Sequence, residues 1–425
     1  MVFNHDYKVY KDVWLSMLGF FFFLMLLSTG ALQEIRGSFA ILIFFLFFIS
    51  TILKATAIVY DKKVFFFSFS AVFVSIFALG HGLLNGHLWA LKSTGVYVVW
   101  PLIFLFMLGG IGNFRVFHII CKALILGSAV ICILVLGKLF TDVLGLNFDG
   151  FWEIIRIRTG FFLGAIKVSS PMLPVLFYFV PFSLTLILLS DRGNQRLLTK
   201  FWANLNAASF FMSCIVLLMS GRAAAAIVFI VSVPVCYWVL SKSKQSAKGT
   251  AVSTYVYRSL WILGGISIIW FVFADLFDLL VYADLLVEKV FYVQDPNSIG
   301  YRRYVQFLNL FGFIQENPFL GRGFGGVEEI GESVWQFELS YLALLDQVGV
   351  VGFSIYFAGV LFLIRALIKI VRKADVASAL ASAAASGLIV FLIVNATNPL
   401  LSKFDFLWVI FFPLALVNYT NTRKH

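Results

Sequence analysis

The sequence predicts an all-α integral membrane protein of about twelve transmembrane helices, and three observations carry that prediction. Of 425 residues, 61% are hydrophobic and only 12% are charged. Apolar runs of about 20 residues, the length that crosses a hydrocarbon layer roughly 30 Å thick, recur from one end of the chain to the other. The runs are continuously apolar rather than alternating, which disfavours a β-barrel, and a helix satisfies its own backbone groups in lipid.

The runs set the elements in order. They fall at residues 13–32, 39–60, 64–81, 92–111, 115–140, 171–190, 204–220, 222–240, 258–277, 339–363, 377–396 and 404–420. The first could pass for a signal peptide but reads as a transmembrane anchor. Linkers rich in Pro, Gly or Ser are absent, and so are internal repeats, so residues 1–425 read as one polytopic membrane domain. Cys121, Cys132, Cys214 and Cys236 all lie inside apolar runs without close CxxC spacing, which argues against structural disulfides and zinc clusters.

The net charge of +11 raises the question of nucleic acid, and the placement of the basic residues answers it. With the N-terminus in the cytoplasm, Lys8, Lys11, Lys62, Lys63, Arg115, Arg192, Arg196 and Lys200 lie inside. So do the basic residues between Lys242 and Arg258, those from Arg365 to Lys373, and the C-terminal tail. They sit in short loops or tails, as the positive-inside rule expects, so they mark topology and imply no nucleic-acid partner. The same placement puts residues 141–170 and the long loop 278–338, between transmembrane helices 9 and 10, on the outer side.

That loop is the one long stretch where the chain leaves the apolar pattern. Residues 301, 304, 305, 307, 308, 311 and 314 are apolar at helical spacing, which predicts a helix over Tyr301 to Glu316 lying on the outer membrane face. Asn297 or Ser298 can cap its start and Asn317-Pro318 stops it. Gly321 to Gly326 then free the backbone to turn sharply or to approach a ligand closely. Asp284, Glu288, Asp295, Glu316, Glu328, Glu329, Glu332 and Glu338 outnumber the basic residues of the loop, so it is not a diffuse anion funnel.

Arginine suits phosphate recognition because its planar fork donates paired hydrogen bonds and stays charged. The outward candidates are Arg156, Arg158, Arg222, Arg302, Arg303 and Arg322. Arg222, in Ser220-Gly221-Arg222-Ala223, also reads as a snorkelling helix-end arginine. Arg302 and Arg303 point about 100° apart on a helix, so one of them at most readily faces a given site. Glu338 sits at the threshold of the next apolar helix, where a carboxylate serves either as a general base or as a helix-start acid. Asp346, deeper in that helix, is either its partner or a helix-packing hydrogen-bonder. His81 and His87 flank a turn without an evident third metal ligand.

Three motifs resemble the superfamily of bacterial O-antigen ligases and O-antigen polymerases. Ser220-Gly221-Arg222 is similar to its Ser/Arg element at an outer helix end. Arg303, Phe307 and Asn317-Pro318-Phe319-Leu320-Gly321-Arg322-Gly323 resemble its arginine, aromatic and Pro-hydrophobic-Leu-Gly-x-Gly run. Glu338, Gly349 and Gly352 fit the ligase spacing, but Glu338 stands where ligases carry histidine and Leu339 replaces the following polar residue. That departure favours the polymerase branch. Arg158-Thr159-Gly160-Phe161 with Pro171 and Pro174 matches the family's Arg-x-Gly turn more weakly.

The resemblance implies a GT-C-like glycosyltransferase of the bacterial inner membrane, with both termini cytoplasmic and the active site facing the periplasm. Its donor and acceptor would be undecaprenyl-diphosphate-linked oligosaccharides, with no nucleotide sugar, no cofactor and no essential metal. A chain-length regulator and membrane lipids are its expected partners. Glu338 would be the catalytic base, and Arg222 and Arg303, with Arg302, Arg322 and Arg158 behind them, would bind the diphosphate. A ligase transferring the finished glycan to lipid A-core or to a protein is the alternative. A transporter of lipid-linked saccharides fits less well, because few charges lie at mid-membrane.

Overall fold

The structure, a computed structural model, describes residues 17, 19–27, 45, 58–146, 148–162, 165–189, 197–220, 222–243, 301–326, 338–373 and 376–423. The expected span 258–277 lies outside them, and the spans 13–32 and 39–60 are described only in part. In chain order the elements begin with α1 (Lys62–Leu84), α2 (Ala90–Gly109, with a π-helical turn at Gly95–Val99) and α3 (Arg115–Val143). They continue with α4 (Asp149–Ile155), β1 (Arg158–Phe162), β2 (Ala165–Ser169), α5 (Pro174–Leu189), α6 (Lys200–Met219) and α7 (Ala223–Ser241). After α8 (Tyr301–Glu316) come α9 (Ser340–Val371) and α10 (Val376–Asn395). A 3-10 turn (Phe404–Phe406) then leads into α11 (Trp408–Thr422).

Among the described residues, eight helices are long and apolar enough to cross a bilayer, which makes this a multi-pass helical membrane protein. The expected span 171–190 is realised as α5, whose 16 residues reach only about 24 Å. It is short because it sits at the centre of the bundle, where every residue from Met172 to Leu186 is buried. A helix wrapped by other helices meets no lipid along its sides and does not have to match the bilayer by itself.

α10 packs against α5, and small residues explain how. Ala381, Ala383, Ala384 and Ala385 are fully buried, and a Cβ on Gly387 would stand 2.9 Å from the Tyr178 ring. Small side chains let helix backbones approach where lipid supplies no hydrophobic drive for association. α7, α9 and α11 also pack on α10, so it is the hub of the bundle. The other end of the bundle is tied by Asp61. Its side chain caps α1 through the Lys63 and Val64 amides, while its own amide donates to Asn418 Oδ1 at 2.8 Å.

Two features depart from the sequence reading. The stretch 141–170 is not simply an outward loop, for it holds α4 and an antiparallel hairpin that pairs Arg158 with Ser169 and Thr159 with Val168. The hairpin packs on α3 and α6. Five-residue strands carry too short an alternation to stand out against long apolar helices. Second, α9 runs well past the expected residue 363, to Val371, and is broken inside at Gly349 (φ 65°, ψ 179°).

Candidate functional site

The break in α9 is filled by the glycine-rich segment that follows α8. A helix interrupted between Asp346 and Val351 frees two carbonyls and two amides, and each finds a partner in residues 318–323. Arg322 N–H donates to Asp346 O at 2.8 Å and Gly323 N–H to Gln347 O at 3.0 Å. In return Val350 N–H donates to Pro318 O at 2.8 Å and Val351 N–H to Phe319 O at 3.2 Å. The segment then reaches α1, where Phe324 N–H donates to Ala78 O at 3.0 Å. Non-helical backbone is tolerated at a membrane position when protein satisfies it in this way.

The glycines serve that insertion. A Cβ on Gly323 would lie 2.2 Å from Gly82 N, and one on Gly349 would lie 2.2 Å from Phe319 O. Gly321, Gly323, Gly325 and Gly349 all adopt positive φ. The freedom read from the sequence as a means of approaching a ligand is used here for close contact between backbones. Phe324 is completely buried between Val74, Ala78, Ala90 and Val348, and its ring stacks on Tyr97 at 4.7 Å. His81 Nε2 lies 3.1 Å from Gly321 O, so this histidine buttresses the segment.

Arg322 enters with the segment and meets Asp346 in a bidentate pair. Its Nε and Nη2 donate to the two carboxylate oxygens at 2.9 and 2.8 Å, with side-chain exposures of 8% and 0%. Its guanidinium also lies 3.5 Å over the Phe313 ring of α8. Asp346 is thus a partner of Arg322 rather than of Glu338, and the pair ties α8, the inserted segment and α9 together.

Glu338 and Arg303 are brought together at the mouth of α9. Arg303 Nε donates to Glu338 Oε2 in an ion pair left partly open to solvent, with side-chain exposures of 26% and 38%. The Glu338 amide donates to Oε1 of the buried Gln306, one turn along α8, at 3.1 Å. Two neighbouring turns of one helix thus hold both the side chain and the backbone of this residue. Arg302, the next position on α8, is exposed, as the 100° step between successive helical residues requires. Along the opposite flank, Phe307, Leu308 and Phe311 are exposed, continued by Phe319 and Leu320.

A third group surrounds the C-terminus of α10. Asn395 is buried; its Oδ1 accepts the amides of Leu400 at 3.0 Å and Leu401 at 2.9 Å, and its Nδ2 donates to Ser340 Oγ at 3.2 Å. Ser340 Oγ donates to the Asn395 carbonyl, and Tyr341 Oη to that of Leu392 at 2.6 Å. One asparagine therefore links the first turn of α9, two residues beyond Glu338, to the turn that presents Lys403. Arg222, the residue before α7, is only partly buried, and its amide is held by Ser220 Oγ at 3.4 Å. Burial lowers the proton affinity of the Arg222 guanidinium. Desolvation does the same to the Lys403 ammonium, opposed first by the negative charge of Asp405 and aided to a smaller extent by the positive charge of Arg222.

Arg158 opens β1 and is exposed, on the hairpin that packs on α3 and α6. Among the described residues, no three His, Cys, Asp or Glu side chains converge as a metal site, and the four cysteines are free and buried. Lys403 and Asn395 escaped the sequence reading, and for Lys403 a signal existed. It is a lone lysine between two apolar spans, where the sequence reading expects the outer face and few lysines. No family model matches the chain, and no curated protein matches it significantly.

Proposed function

We propose that this protein is a membrane-embedded glycosyltransferase that polymerises lipid-linked saccharide units, as the resemblance to the O-antigen polymerase branch suggests. The observation that carries the reading is the Arg303–Glu338 pair, a cation and a carboxylate held together, partly open, at the start of an apolar helix. Transfer from a polyprenyl diphosphate needs both groups. A cation stabilises the charge that builds on the departing diphosphate, and a base takes the proton of the attacking hydroxyl.

In this reading the donor diphosphate competes with Glu338 for Arg303. Its arrival frees the carboxylate, which accepts the proton of an acceptor sugar hydroxyl. The hydroxyl oxygen forms the new bond at the anomeric carbon from the face opposite the diphosphate, whose C–O bond breaks with inversion. Arg222 supplies a further positive charge, for which no acidic partner exists among the described residues. Arg322 is excluded from binding the diphosphate because Asp346 engages its fork. The exposed apolar flank of α8 suits contact with the membrane surface, beside which polyprenyl tails would lie.

Reconstitution with lipid-linked repeat units tests the proposal. Wild-type protein is expected to give long polymer on the lipid carrier. Glu338→Gln should lower turnover by about 100-fold or more, the scale of a lost general base. Full-length polymer from Glu338→Gln at the wild-type rate would falsify the base assignment. Transfer of finished glycan to lipid A-core or to a protein, without elongation of lipid-linked units, would make the enzyme a ligase.

A further inference from the structure

α1 and α9 carry two independent rulers for the height of the bilayer, because a helix crosses the hydrocarbon layer in about 20 residues. In α1 the count starts after Lys62-Lys63 and covers residues 64–83; in α9, counted back from Arg365, it covers residues 345–364. Asp346, paired with Arg322, is the one Asp, Glu, Lys or Arg in either stretch. The two helices pack side by side in opposite directions, with the Phe67 ring stacked on Phe362 at 4.6 Å and Ser75 Oγ 2.6 Å from Tyr356 Oη. The two counts therefore bracket the same layer.

The segment that fills the break meets both helices at one edge of that layer. It bonds α9 at Asp346, Gln347, Val350 and Val351 and α1 at Ala78, all within about two turns of the edge. That height lies just inside the hydrocarbon, and Phe319 and Leu320 are exposed there, beside the exposed Val350 and Val351 of α9. α8 repeats the pattern. Its buried residues are Gln306 and Leu310, and the side turned away from them carries Phe307, Leu308 and Phe311, all exposed, with Phe307 stacked on Phe311 at 5.8 Å. A helix bordering water puts polar residues on that side. Here the exposed polar residues Arg302, Gln315 and Glu316 stand at the two ends of the helix, Arg302 about 140° round the axis from Phe307.

We propose that α8 and residues 318–326 form a re-entrant arm that docks onto the membrane itself, with its apolar side seated against the acyl chains of the leaflet on the side where α9 begins. Continuity selects lipid as the occupant, since Phe319 and Leu320 prolong the apolar surface that Val350, Val351 and Phe357 of α9 present to the bilayer. Acyl chains offer no polar group, and the inserted backbone needs none from them. Its amides at Arg322, Gly323 and Phe324 and its carbonyls at Pro318 and Phe319 are bonded to α1 and α9. The arm also carries Arg303 and Gln306, which hold Glu338 about 10 Å beyond the counted stretch of α9, at the level of the headgroups. Lipid contact along the arm thus sets the height of that pair over the bilayer. None of this requires the protein to be a transferase.

Full-length protein in nanodiscs of phosphatidylcholine and phosphatidylglycerol, bearing one nitroxide label at Leu308→Cys, Phe319→Cys, Arg302→Cys or Phe357→Cys, tests the docking. The natural cysteines are buried, and the labelled positions are exposed, so the changes spare the packed core. Spin-resonance power saturation compares the accessibility of each label to oxygen, which partitions into lipid, and to a water-soluble nickel chelate. The labels at 308 and 319 are expected about 5–10 Å inside the headgroup boundary, oxygen-dominated like the label at 357, while the label at 302 is nickel-dominated. Nickel accessibility at 308 and 319 equal to that at 302 overturns the proposal by placing the face in water. Protection from both reagents overturns it as well; dipolar broadening between labels then marks a second copy as the occupant, and its absence another segment of the same chain.

Discussion

Arg322 shows how one side chain can carry the signature of a ligand site and do structural duty. By type and by neighbouring glycines it looks like a phosphate-binding arginine, yet its fork closes on Asp346 inside the protein. Removing one member of such a pair strands a buried charge, so Asp346→Asn is expected to lose about 3–5 kcal/mol. The double variant Arg322→Met/Asp346→Leu removes both charges and should lose less than Asp346→Asn alone. Denaturation in detergent micelles measures both, and a double loss equal to the sum of the singles would deny the coupling. An acid inside an apolar span demands a partner and was legible as such; which arginine answers it depended on where the segment after α8 folds back.

At the scale of elements, α8 was legible to the residue because its apolar spacing and the Asn317-Pro318 stop are local signals. The break in α9 was not, because the sequence around Gly349 reads as uninterrupted apolar helix. Only the partners offered by residues 318–323 make the broken form cheaper than the continuous one. Gly349→Ala would force a Cβ into a glycine-only backbone region and against Phe319 O, at an expected loss of about 3 kcal/mol or more. Gly359→Ala, later in the same helix with open space around its Cβ, should be neutral or stabilising by up to about 1 kcal/mol. Thermal unfolding midpoints of the two variants, compared side by side, check the contrast; equal midpoints would mean that the break contributes nothing.

For the whole molecule, the order and approximate bounds of the described spans follow from hydropathy alone, since lipid admits only helices that satisfy their own backbones. The placement of basic residues further predicts which end faces out. Because the natural cysteines are buried, new ones report alone. Leu88→Cys and Leu146→Cys, at exposed positions on one end of the bundle, should react with an impermeant maleimide on intact cells. Gly112→Cys, beside Arg423 at the other end, should react only after permeabilisation; the opposite pattern would invert the topology. The sequence by itself determined the class of the protein, its described helices and a short roster of candidate arginines and acids, because these follow from composition and local periodicity. Only the tertiary structure decided which charges meet. Arg303 pairs with Glu338 and Arg322 with Asp346, since residues 35 and 24 positions apart become neighbours through helix packing that no local pattern encodes.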